Sequence, residues 1–70
     1  MSEKLTKAQW KALEWFKGKA PTCWFEAGDP TPITRYRLFE AGKLARYVDG
    51  GMVFWTITPA GRAALSEART

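Results

Sequence analysis

The feature that most constrains the fold is the stretch 34–65, in which a basic segment, a Gly-Gly turn and a capped final segment follow one another. The glycine pair at 50–51 separates two segments of alternating apolar residues, and adjacent glycines supply the positive φ angles of a tight hairpin turn. This predicts two short antiparallel strands. On the second strand, Val53, Trp55 and Ile57 share the face that we assign to the core.

A first helix is predicted before this stretch. Thr6 and Gln9 form a capping box, in which each side chain accepts a hydrogen bond from the other residue's amide. Leu13 and Phe16 then recur along one apolar face. Gly18 is expected to end this helix in the left-handed conformation.

A Thr-Pro pair occurs twice, at 31–32 and at 58–59. Threonine caps a helix and proline fits its first position, so the pairs predict helices over 32–41 and 60–68. The segment 19–31 is rich in turn residues, and its sequence leaves open whether it contains a second helix.

Length and composition bound the remaining possibilities. A chain of 70 residues is expected to form one domain over 1–70, with four Trp, four Phe and two Tyr available for its core. Cys23 is the single cysteine and histidine is absent, so neither a disulfide within the chain nor a zinc cluster is expected. The apolar runs are short, which predicts a cytoplasmic protein without a membrane partner.

Catalytic chemistry has little support in the sequence. The commonest general base is missing, and the seven carboxylates are scattered without an evident pair. Cys23 is better explained as a small core residue than as a nucleophile. We therefore expect no enzyme activity, no catalytic residue, no cofactor and no metal.

Most of the chain's net charge of +4 is concentrated in 35–46, where four cations and Glu40 give a local charge of +3. The cations are Arg35, Arg37, Lys43 and Arg46. A basic helix can enter the major groove of DNA, where arginine recognises guanine edges. An ordinary solvated face is the alternative for these four residues.

Helical spacing places one apolar face of the helix over 32–41 at Ile33, Leu38 and Ala41, and it places Tyr36 and Phe39 opposite, with Arg35. Two alternatives follow. Either the buried arc is broader and Phe39 lies under the hairpin, or Tyr36 and Phe39 form a surface for a partner. We favour the first for Phe39 and leave Tyr36 open as a phosphate or base contact.

Two motifs carry a family resemblance. The sequence LFEAGKL at 38–44, followed by a hairpin and then WTITPAGRAAL at 55–65, resembles winged helix-turn-helix DNA-binding domains. The first helix also resembles that of such regulators, many of them small bacterial or prophage proteins. The resemblance implies an α+β fold, with helices on a small two- or three-stranded antiparallel sheet and a short or irregular second helix.

The resemblance also implies a function. The helix over 32–41 becomes the recognition helix, and the hairpin becomes the wing, with its tip at 49–52. The expected activity is sequence-specific or general binding of double-stranded DNA, in transcriptional regulation or phage DNA transactions. The threonines near the helix N-terminus are expected to donate hydrogen bonds to phosphate. The expected DNA-binding residues are Thr31, Thr34, Arg35, Tyr36, Arg37, Lys43, Arg46 and Tyr47.

The alternative function is a winged-helix module that binds a protein. The many aromatic residues and the acidic Asp49 at the wing tip favour it, and its docking surface would comprise Trp15, Trp24, Tyr36 and Phe54. For the DNA hypothesis, one copy of so small a module contacts few base pairs, so specificity is expected to need a homodimer or a larger assembly.

Overall fold

The computed structural model describes residues 5–68 and contains three helices and a two-stranded antiparallel sheet, which confirms the α+β class. In chain order the elements are α1 (Lys7–Lys17), α2 (Pro32–Glu40), β1 (Leu44–Asp49), β2 (Met52–Ile57) and α3 (Pro59–Ala68). Among the described helices, none combines the length and the apolar character that crossing a membrane requires.

Local capping explains where α1 begins. The amide of Gln9 donates to Thr6 Oγ1 at 3.1 Å, and the amide of Thr6 donates to Gln9 Oε1 at 3.1 Å, so the predicted capping box is confirmed. Gly18 follows the helix, but its φ of −97° is not left-handed, so that part of the prediction is wrong. The turn continues instead with the amide of Lys19 donating to the carbonyl of Phe16 at 3.0 Å.

The hairpin forms as predicted. Gly50 and Gly51 have φ angles of 59° and 81°, and they join the two strands in a register that pairs Leu44 with Ile57 and Asp49 with Met52. Because side chains alternate along a strand, this register divides the residues between a core face and an outer face of the sheet. Leu44 and Ile57 are buried on the core face, as is Trp55.

The segment before α2 contains a turn near Gly28 and no helix. Thr22 instead extends the sheet by one bridge, with both backbone hydrogen bonds to Trp55, at 3.0 and 2.8 Å. This contact brings the chain between α1 and α2 alongside β2. It therefore places Phe25 near the core, where its ring stacks on Trp15 at a centroid distance of 5.5 Å.

One core joins all the elements. Its buried residues are Ala12, Leu13, Phe16, Leu38, Leu44, Trp55, Ile57 and Leu65. Thr58 connects the start of α3 to the end of α2, because its hydroxyl donates to the carbonyl of Gly42 at 2.7 Å and accepts from the amide of Gly61 at 3.0 Å. These bonds fix the turn that follows α2 against the start of α3.

Gly61 is buried where the first turn of α3 meets the segment that precedes β1. A Cβ atom at this position would collide with the carbonyl oxygen of Lys43 and would lie 2.8 Å from Ile57 Cγ1. Glycine is therefore needed here for close approach between two backbones. The close approach sets the position of the segment that leads from α2 into β1.

Candidate functional site

The two sides of α2 have different surroundings. On the inner side, Leu38 is 1% exposed and belongs to the core. The opposite side, which we call the outer face, consists of residues that are all exposed: Ile33, Tyr36, Arg37 and Glu40. The helix thus presents an apolar residue, a phenol, a cation and a carboxylate together.

Arg35 lies on the inner side. Its guanidinium carbon is 3.9 Å from the centroid of the Phe25 ring and 5.2 Å from that of Trp55, and its Nε donates to the carbonyl of Pro30 at 3.2 Å. Burial lowers the pKa of Arg35, and its charge interaction with Tyr36 opposes the shift. Arginine still remains charged at neutral pH, so a cation is held between two rings.

Arg37 has a different environment. It is exposed, and within residues 5–68 its side chain makes no hydrogen bond, ion pair or ring contact. Among the described residues, its guanidinium donors therefore have no acceptor. Arg35 and Arg37 are separated by one residue, but the first is packed against two rings and the second is exposed.

Arg46 lies over a group of rings beside α2. Its guanidinium carbon is 5.3 Å from the Tyr36 centroid, 5.9 Å from that of Phe39 and 5.3 Å from that of Trp55. Tyr36 and Phe39 both meet Trp55 edge to face, at interplanar angles of 90° and 79°. These contacts hold Arg46 next to α2 although it belongs to β1.

Tyr47 is not part of this group. Alternation along β1 places it on the outer face of the sheet, where it stacks on Phe54 at a centroid distance of 5.5 Å. Tyr47 is 45% exposed. The structure thus brings Arg46 to α2 and directs its neighbour in the sequence away.

The remaining predicted residues lie at the two ends of α2. Thr31 caps the helix by accepting from the amide of Thr34 at 3.3 Å, and its hydroxyl donates to Thr34 Oγ1 at 3.1 Å. Within residues 5–68, the Thr34 hydroxyl accepts this bond and has no acceptor of its own. Lys43 follows the helix and is partly buried, with its backbone bonded to Leu38 and Thr58.

The predicted apolar face of α2 is wrong in two of its three members. Leu38 is buried, but Ile33 is 68% exposed and Ala41 is also exposed. The helix is rotated so that Tyr36 and Phe39 contact Trp55, which agrees with the broader buried arc expected for Phe39. The two rings remain 43% and 38% exposed.

Sequence reasoning missed that Arg35 faces inward and that Ile33 is exposed, and one signal could have indicated the first. Arg35 precedes Leu38 by three residues, so the two share a side of the helix. A buried Leu38 therefore requires Arg35 to face inward. No local signal identifies Phe25 as its partner, because the two are brought together by the bridge at Thr22.

The aromatic residues of the alternative function do not form one surface. Tyr36 contacts Trp55 on the core face of the sheet, whereas Phe54 lies on the outer face. Trp15 packs partly against the core. Trp24 is 72% exposed, with its Nε1 donating to Glu26 Oε1 at 3.4 Å.

The fold has a similar solved structure. The fold is similar to the crystal structure of a probable transcriptional regulator from Pseudomonas aeruginosa, with a TM-score of 0.76 and 26% sequence identity. The match covers 93% of this chain and 56% of that protein, so this chain spans little more than half of the regulator's length. No protein-family model matches the sequence, and no curated protein matches it.

Proposed function

We propose that this chain is a winged-helix module that binds double-stranded DNA through α2 and takes part in transcriptional regulation. The observation that carries the proposal is the outer face of α2, where Arg37 has no partner within the described residues and stands beside Ile33 and Tyr36. The similarity to a probable transcriptional regulator supports it.

The dimensions of α2 suit the major groove. Nine residues give a helix about 13 Å long and, with side chains, about 10–12 Å across, and the groove of B-DNA is about 12 Å wide. Side chains on one face of such a helix can reach base edges. In this arrangement Arg37 contacts bases or phosphate.

The flanking residues contact the DNA backbone in this proposal. Thr31 and Thr34 lie at the N-terminus of α2, where the helix dipole favours an anion. Lys43 follows its C-terminal end, and Arg46 is held beside Tyr36. These positions would let the module contact phosphates on both sides of the groove.

Arg35 acts indirectly in this proposal. Its guanidinium fills the space between Phe25 and Trp55 and fixes the orientation of α2 against the hairpin. Tyr47 and the tip of the hairpin contribute less, because Tyr47 points away from α2 and Asp49 repels phosphate. The helix is therefore the main contact.

A salt titration tests the proposal. Fluorescence polarisation would measure binding of the full chain to a labelled random-sequence duplex and to a single strand of the same length. With Lys43 and Arg46 each neutralising one phosphate, affinity for the duplex should fall about 12-fold between about 50 and 200 mM salt. Absence of duplex binding at the lower salt concentration would contradict the proposal.

Two copies are expected to bind together. One α2 contacts only a few base pairs, and a dimer on half-sites about 10 base pairs apart would add the specificity that one copy lacks. Native mass spectrometry of the complex should then show two chains on one duplex. A complex with one chain at saturation would remove this part of the proposal.

A further inference from the structure

Ile33 is exposed at a position where the fold gives it no packing role. It lies in the first turn of α2, is 68% exposed and does not belong to the core cluster. A single exposed apolar residue is common on protein surfaces. Ile33, however, shares a face of α2 with Arg37, which follows four residues later and has no partner among the described residues.

These two side chains match two groups that DNA displays in its major groove. Thymine presents a C5-methyl group, the apolar contact there, and guanine presents the acceptors N7 and O6, which arginine binds in bidentate geometry. We infer that Ile33 contacts a thymine methyl while Arg37 binds a nearby guanine. This inference rests on the proposed DNA binding and names the bases that α2 selects.

The spacing agrees with bases close together in one site. Residues four apart on a helix have Cβ atoms about 6 Å apart, and neighbouring bases on one strand are about 3.4 Å apart along the DNA axis. Ile33 and Arg37 can therefore reach bases one or two steps apart. Arg35 has a different position, because its guanidinium packs against Phe25 and Trp55 on the inner side of the helix.

The test begins with selection of preferred sites from a randomised duplex library by the full chain. Each thymine of the selected site is then replaced by uracil, which removes only the methyl group. At one thymine near a guanine, the replacement should weaken binding by the wild-type chain about fourfold, the value for one buried methyl group. The Ile33→Ala variant should bind the thymine duplex more weakly than the wild-type chain does. It should also bind the thymine and uracil duplexes with equal affinity.

Val48→Ala is the matched control, because Val48 is also 68% exposed but lies on the hairpin. It should leave the ratio between the thymine and uracil duplexes unchanged. Circular dichroism and urea unfolding should show that both variants fold as the wild type does, since both side chains are exposed.

Three results would overturn the inference and leave DNA binding intact: no enriched sequence, equal wild-type affinity for thymine and uracil at every position, or thymine discrimination that survives Ile33→Ala. Absence of any duplex binding by the wild-type chain, even at low salt, is distinguishable from these three results. It would remove the proposed function together with the inference.

Discussion

The inner and outer sides of α2 contain the same kinds of residue and use them differently. Inside, Leu38 is buried in the core and Arg35 lies between Phe25 and Trp55. Outside, Ile33 is exposed and Arg37 has no partner within residues 5–68. Each side thus has an apolar residue and an arginine, packed on the inner side and exposed on the outer side.

This difference shows that charge counting alone does not locate a binding surface. Arg35 and Arg37 contribute equally to the local net charge, but Arg35 is packed against two rings, whereas Arg37 is exposed and has no partner within residues 5–68. The rotation of the helix about its own axis determines which arginine is packed and which is exposed. That rotation depends on the packing of Leu38, Tyr36 and Phe39 against the rest of the chain.

The largest difference between the two sides is expected when the apolar residue on each side is truncated to alanine. Leu38→Ala should lower the free energy of unfolding by about 2–5 kcal/mol, because it leaves a cavity in the core. Ile33→Ala should change it by less than about 0.5 kcal/mol, because the side chain is exposed. Urea unfolding followed by circular dichroism measures both, and equal losses would invalidate the division between the two sides.

A smaller loss of stability is expected at Arg35. Arg35→Ala should lower the free energy of unfolding by about 1–2 kcal/mol, through the loss of its ring contacts and its bond to Pro30. Arg35→Lys keeps the charge but loses the planar stacking, so it should recover only part of the stability. Arg37→Ala is the matched comparison and should unfold like the wild type. Wild-type stability in Arg35→Ala would show that the guanidinium does not support the fold.

The smallest effect is expected at Trp24, which is the most exposed of the large apolar residues described. Trp24→Ala should change the free energy of unfolding by less than about 0.5 kcal/mol and leave duplex affinity unchanged. Fluorescence polarisation and urea unfolding check the two expectations. A clear loss of duplex affinity would extend the binding surface beyond α2 to the segment that precedes it.

The local elements could be predicted because their causes lie within a few residues. The capping box at Thr6, the Thr-Pro pairs and the Gly50-Gly51 turn each fix a start or a reversal through short-range geometry. Alternation from Val53 to Ile57 likewise identified the core face of β2. These features predict α2 followed by a hairpin without any tertiary contact.

The orientation of α2 could not be predicted in the same way. It depends on Trp55, which accepts the edges of Tyr36 and Phe39, and on Phe25, which arrives through the bridge at Thr22. These contacts join residues far apart in sequence. The apolar spacing of α2 predicts Ile33 as a core residue. The aromatic contacts instead rotate the helix so that Ile33 is exposed.

Duplex affinity of Arg37→Ala, measured beside Lys17→Ala, tests the central claim most directly. Both variants lose one exposed cation, but Lys17 lies at the end of α1. If the outer face of α2 binds DNA, Arg37→Ala should bind the selected duplex about tenfold more weakly, with wild-type unfolding, whereas Lys17→Ala should lose much less. Equal affinities for the two variants would contradict the assignment of DNA binding to this face.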